Sequence, residues 1–129
     1  MIEYLSVDQV LRIHEYQIKT FGGSRGLRDR AGLESAVARP AATFAGEDLY
    51  PDIASKVGAL MHSLVMNHPF VDGNKRLGAM PAELFLEANR RRLLASDEEF
   101  ERIALATARG EVDAESLGIW FRQRISSED

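Results

Sequence analysis

The sequence predicts one all-α domain, and three observations carry that prediction. Two capping boxes, Ser6 with Gln9 and Ser96 with Glu99, each open a run of apolar residues spaced by three and four. A stronger run of the same period fills the middle of the chain, from Ile53 to Val65. No segment reads as a β-strand except a short one near Met1–Leu5. The 129 residues suit a single core, expected over 1–125, with no internal repeat or low-complexity linker and a frayed tail at Ser126–Asp129.

Taken in order, the first helix is expected near Ser6–Thr20, with Val7, Val10, Leu11 and Ile18 on its apolar positions and Gly22–Gly23 ending it. Gly22 to Gly32 is rich in glycine and arginine and reads as a surface loop. Leu33–Arg39 reads as a short helix that stops before Pro40, because a residue preceding proline is pushed out of helical geometry. Ala41–Leu49 reads as an irregular connection, and Pro51 as a first-turn proline of the next helix. There Ile53, Val57, Leu60, Met61, Leu64 and Val65 share one face, up to about Asn67. A second central helix is expected from Asn74, with Leu77, Met80, Leu84, Phe85 and Ala88 covering more than one stripe, which implies burial on several sides. Pro81 removes a bond to the Leu77 carbonyl and should kink it. Ser96 starts a helix that turns Phe100, Ile103, Ala104 and Thr107 inward until Gly110, and Ala114–Arg124 closes the chain, anchored by Leu117, Trp120 and Phe121.

Composition excludes several classes of function. A net charge of −4 and a pI near 5.4 argue against a broad nucleic-acid surface, though a few converging donors suffice to hold a phosphate. The absence of cysteine removes disulfides, thiolate nucleophiles and cysteine metal sites, and fits a cytoplasmic chain. Met1-Ile2-Glu3-Tyr4-Leu5 does not read as a signal peptide, and the longest apolar candidate, Val57–Val65, is too short to span a bilayer.

Chemistry concentrates in the segment His68-Pro69-Phe70-Val71-Asp72-Gly73-Asn74-Lys75-Arg76, between the two strongest helices. Gly73 permits a sharp turn, and the helix start after it presents unpaired amides that suit an anion. Asn74 is placed to cap that helix or to donate to a phosphate oxygen. Lys75 and Arg76 add cations where the helix dipole is already positive, a local conflict that a bound phosphate resolves. Asp72 suits Mg²⁺, His68 suits proton abstraction near neutral pH, and Phe70 is expected to point into the core. Together these are the parts of phosphoryl or nucleotidyl transfer to a hydroxyl. From composition and spacing alone, the run serves equally as a capped turn between helices. No P-loop or zinc pattern is present.

The run His68–Arg76 resembles the signature of the Fic/Doc superfamily, and its Gly-Asn-Lys-Arg form resembles the death-on-curing (Doc) toxin branch. Ile13-His14-Glu15-Tyr16-Gln17, Phe21-Gly22-Gly23 with Gly26-Leu27-Arg28-Asp29, Leu33-Glu34-Ser35-Ala36 with Arg39-Pro40, and Leu49-Tyr50-Pro51 extend the likeness over residues 3 to 122. The resemblance implies an all-α fold with His68 as general base, Asp72 as the Mg²⁺ carboxylate, Gly73 and Asn74 as the anion-binding turn, and Arg76 on phosphate. In Fic proteins that transfer AMP, glycine stands at the position of Lys75 and an arginine at that of Ala79. In the Doc branch, which shares both changes, the nucleotide lies in the reversed sense. Lys75 fills room that glycine leaves, and Ala79 removes a clamp. The resemblance therefore implies transfer of the γ-phosphate of ATP to a threonine of elongation factor Tu, in a type II toxin–antitoxin pair with a Phd-like antitoxin. AMP transfer and a non-catalytic binding module are the alternatives. Pro81, Leu77-Gly78 and Asn89-Arg90 depart from the usual pattern, the last standing where many relatives have Asn-Gly.

Outside the motif, His14 reads as a structural or groove residue and His62 as a packed or partly exposed one. Arg25, Arg28, Asp29 and Arg30 form a charged loop that either is solvated or helps hold nucleotide or target. Arg90-Arg91-Arg92 reads as a solvated helix end.

Overall fold

The computed structural model describes residues 1–127. In chain order the elements are α1 (Val7–Phe21), α2 (Arg30–Ala38), a 3-10 turn at Arg39–Ala41, β1 (Thr43–Phe44), β2 (Glu47–Asp48), α3 (Ile53–Met66), α4 (Asn74–Leu77), α5 (Ala79–Ala88), α6 (Asp97–Ala108) and α7 (Ala114–Arg122). The fold is all-α apart from one two-stranded hairpin. Among the described residues, no helix is long and apolar enough to cross a membrane.

Eleven of the fourteen residues of α3 are buried, so this helix is the axis of the core rather than an amphipathic edge. It packs against α2, α5, α6 and α7. The α3–α7 crossing is set by Gly58, where a Cβ would stand 2.6 Å from the Gly118 amide nitrogen, so two backbones meet with no side chain between them. Leu60, Leu64, Phe85, Leu117 and Phe121 fill the remaining space; truncating Leu64 to alanine would cost about 2–5 kcal/mol. Phe100, Trp120 and Phe121 form an aromatic trio with centroids 5.1–6.2 Å apart, under α6 and α7.

Lys56 on α3 is 1% exposed. Its Nζ donates to the Pro40 carbonyl at 3.0 Å and to Asp48 Oδ2 at 3.3 Å, and it lies 5.4 Å from the Tyr4 ring centroid. A buried ammonium needs such partners, and they fasten the hairpin and the N-terminal segment to the core.

Several sequence expectations change. Ala41–Leu49 is not irregular: Ala45 and Gly46, at φ 53° and 83°, form a turn with both central residues left-handed, and Thr43–Phe44 pairs with Glu47–Asp48. Met1–Leu5 is not a strand. Instead the Asn89 side chain accepts from the Glu3 amide at 2.8 Å and donates to the Glu3 carbonyl at 2.9 Å, supplying what a strand neighbour would. Helix α2 starts earlier than expected because Asp29 caps it, accepting from the Gly32 amide at 2.9 Å. Pro51 precedes the first turn of α3, whose cap is Asp52. The expected second central helix is divided at Gly78 into α4 and α5, and Pro81, which has no N–H to give, sits in the first turn of α5. Helix α7 ends at Arg122 rather than Arg124. Ser126, expected to fray, is held: its amide donates to the Arg92 carbonyl at 2.9 Å, and its Oγ accepts from the Arg92 amide at 2.8 Å. Expectations for residues 128–129 lie outside the described residues.

Candidate active site

The segment His68–Arg76 forms the link from α3 to α4 and surrounds a pocket of about 310 Å³, lined by all its members except Pro69 and Phe70. Those two are buried beneath. Phe70 stacks on His14 with centroids 3.7 Å apart and planes within 7°, and His14 Nε2 donates to the Asp72 carbonyl at 2.8 Å. His14 therefore carries the floor of the loop and does not face the pocket as a reactive group. Asn74 also serves the loop: its Oδ1 accepts from the Phe70 amide at 3.0 Å and its Nδ2 donates to the Phe70 carbonyl at 2.8 Å. It does not cap α4, whose cap is Gly73 at φ 81°, a left-handed position suited to glycine.

The Asp72 carboxylate accepts the Ser24 amide on Oδ2 at 3.0 Å and the Gly73 amide on Oδ1 at 2.8 Å. Those two donors, then Arg76 and His14, hold its pKa below the ordinary carboxylate value, so Asp72 is an anion at neutral pH. Each oxygen keeps lone-pair capacity. A single ionised carboxylate with open lone pairs fits Mg²⁺, which takes one or two carboxylates and fills its other positions with water or ligand oxygens. Among the described residues no cluster of three His, Asp or Glu side chains forms a complete protein cage for a metal.

Lys75 and Arg76 are exposed, and neither enters an ion pair among the described residues. The Arg76 guanidinium lies 5.4 Å from the Phe21 ring centroid, and Gln17 Nε2 donates to the Arg76 carbonyl at 3.0 Å. The amides of Asn74, Lys75 and Arg76 precede the first bond of α4, from the Leu77 amide to the Gly73 carbonyl. Two cations without ion pairs among the described residues, and a set of backbone donors, thus belong to the lining of one pocket. Both cations also border an apolar groove of about 410 Å³ between α1, α5 and α6, where Tyr16, Phe21, Met80 and Leu105 are exposed.

His68 has φ 45°, a costly conformation for a residue with a Cβ. Its imidazole lines the pocket and makes no hydrogen bond among the described residues, whereas its carbonyl accepts from Arg28 Nε at 2.9 Å and again from Nη2. The 23–29 loop, whose charges the sequence left as either solvated or helping to hold nucleotide or target, is docked on the motif. Leu27 bridges to Phe70, the Arg28 and Asp29 amides donate to the Pro69 carbonyl, and the Val71 amide donates to the Gly26 carbonyl. Ser24 was missed as a site residue, and Arg28 was named only as a candidate contact to nucleotide or target, because a loop contact to the motif backbone leaves no periodic trace in the sequence.

A larger cavity, about 630 Å³, lies away from the motif between the hairpin exit, α3 and α7, and includes Arg39, Tyr50, His62, Asp113 and Arg122. Size does not make it the better site, because its central groups are spent on one another: Arg39 donates to Tyr50 Oη, His62 Nδ1 and Ser63 Oγ. The smaller pocket is where reactive groups stay free.

The model of the Fic/DOC family matches residues 4–86. The chain is 45% identical over 89 residues to the "Toxin Doc" of Mycolicibacterium smegmatis, an alignment covering 69% of this chain and 66% of that protein. It is 25% identical over 126 residues to the "Protein kinase doc" of Escherichia phage P1, covering 98% of each. The match over the motif, its supporting helices and the hairpin places this chain in the Fic/Doc superfamily, on the side of the Doc toxins.

Proposed function

We propose that this protein is the toxin of a toxin–antitoxin pair and transfers the γ-phosphate of ATP to a threonine hydroxyl, the target being elongation factor Tu. The observation that carries the reading is one pocket holding an ionised carboxylate together with an imidazole and two cations that have no hydrogen-bond or ion-pair partner among the described residues. His68 takes the proton of the threonine hydroxyl as its oxygen bonds to the γ-phosphorus. The bond from that phosphorus to the bridging oxygen breaks, and ADP leaves. Lys75, Arg76 and the amides of α4 neutralise charge on the phosphate oxygens and fix the line of attack. Asp72 would hold Mg²⁺, whose charge screens the phosphates when bound.

Lys75 supports phosphate over AMP transfer in this reading: its side chain borders both the pocket and the groove, where a glycine would leave room. The phage relative, aligned end to end, is named a protein kinase. Intact mass of elongation factor Tu, after incubation with this protein, Mg²⁺ and ATP, tests the reading. A gain of about 80 Da is expected for a phosphoryl group. A gain of about 329 Da would establish AMP transfer instead, and no gain on any translation factor would leave a binding module.

The Phd-like antitoxin segment is proposed to fold as a helix in the apolar groove, with its acidic residues against Lys75 and Arg76. Leu105→Glu should then abolish antitoxin rescue while leaving transfer unchanged; full rescue of that variant would place the antitoxin elsewhere.

A further inference from the structure

A general base needs an aimed side chain, and in most enzymes a second side chain aims it. His68 has no such helper: no group among the described residues touches its ring by hydrogen bond. With the ring unpartnered, what the fold fixes is the direction of the Cα–Cβ bond that carries it, and that is set by a backbone left-handed at φ 45°. Unsupported, a histidine would relax from this region. What supports it is Arg28. The guanidinium donates through Nε and Nη2 to the His68 carbonyl and through Nη2 to the Asn67 carbonyl at 3.2 Å, binding the turn that follows α3. The peptide after His68 is fixed from the same loop, through the Arg28 and Asp29 amides on the Pro69 carbonyl at 2.8 and 2.9 Å. Asn67 is tied in turn to α2, donating from Nδ2 to the Gly32 carbonyl at 3.0 Å.

Arg28 pairs with no carboxylate among the described residues, although Asp29 is its neighbour. A cation that leaves acidic groups aside and spends its fork on two successive carbonyls is serving the turn, not the surface charge. We infer that Arg28 is a positioning residue for the proposed transfer reaction, setting the backbone of His68 and so the reach of its imidazole, while touching no substrate. The inference rests on the transferase reading for its kinetic consequence and on geometry alone for its structural one.

The two parts are tested separately in the full chain with Arg28→Ala and Arg28→Lys. Carbon chemical shifts of His68 should report a left-handed residue in the wild type and move toward extended values in Arg28→Ala. In the transfer assay, kcat of Arg28→Ala should fall about 100-fold with KM for ATP within about twofold. Added guanidinium ion should restore part of the lost rate, which a general loss of stability would not allow. Arg28→Lys should stay well below wild type, since an ammonium has no fork, and it carries the test should Arg28→Ala unfold. Unchanged His68 shifts, or a rise in KM with kcat intact, would overturn the inference. A wild type that transfers nothing from ATP would sink the transferase reading, while the chemical shifts would still decide whether Arg28 sets His68.

Discussion

His62 and His68 stand close in sequence, each beside an arginine, and their surroundings are opposite. Arg39 holds the ring of His62: its Nη1 lies 3.2 Å from Nδ1. A guanidinium only donates, so Nδ1 accepts and the proton sits on Nε2. Arg28 holds the carbonyl of His68 and leaves the ring bare. A histidine whose ring is committed and whose backbone is relaxed is a structural part. One whose backbone is over-determined and whose ring is free suits the base of the proposed transfer.

The widest separation should come from alanine substitution. His68→Ala is expected to lower transfer by about 10²–10⁴-fold, the usual share of a general base, with its unfolding midpoint unchanged because the ring is exposed and makes no hydrogen bond among the described residues. His62→Ala should leave turnover near wild type. Equal activity in both variants, measured by phosphate incorporation, would erase the distinction.

Next in size is Arg39→Met. It leaves Tyr50 Oη, His62 Nδ1 and Ser63 Oγ without their donor, which should cost about 1–3 kcal/mol in urea unfolding. The rate per folded molecule should hold, since none of these groups lines the motif pocket.

A smaller effect follows from pH. Burial, then the charge of Arg39, lowers the pKa of His62 below 6.5, against an opposing pull from Asp113. The unfolded chain therefore binds this proton more readily than the folded one, and stability falls as pH drops below the unfolded value. Melting temperature should decline on acidification from pH 7 toward the lowered folded value, and His62→Gln should flatten that decline. The carboxylates with lowered pKa, Asp52, Asp72, Glu99 and Asp113, stay ionised across this window. An identical slope in the variant would show that other groups dominate.

The smallest expected change concerns strain. Among the described residues, Ala45, His68 and Arg90 are the non-glycine residues at positive φ. Arg90, at φ 60°, follows α5 in a closing turn where the Arg91 amide reaches the Leu86 carbonyl at 2.9 Å, the geometry that favours glycine. Arg90→Gly should stabilise the protein by about 1 kcal/mol or less and leave transfer unaltered, whereas His68→Gly relieves the same kind of strain and removes the proposed base. A destabilised Arg90→Gly would mean that the Arg90 side chain supports the N-terminal region.

Most helices were legible because caps and periodicity are local. Ser6, Ser96 and the apolar series along α3 state their elements within a few residues. The hairpin was illegible because alanine occupies a left-handed turn position where asparagine or aspartate would have signalled it. Lys56 was invisible as a core residue, since its partners Pro40, Asp48 and Tyr4 come from three separate segments.

The same division runs through the site. Sequence alone determined which groups are present: a histidine, an aspartate, a glycine turn and two cations in nine consecutive residues, because a contiguous motif needs no fold to be assembled. Tertiary structure decided which of them are free. Asn74 is drawn into holding Phe70, His14 into holding Asp72, and Ser24 and Arg28 arrive from a loop some forty residues earlier. Hydrogen bonds between distant segments leave no period in a sequence, so the aim of His68 is written only in the folded chain.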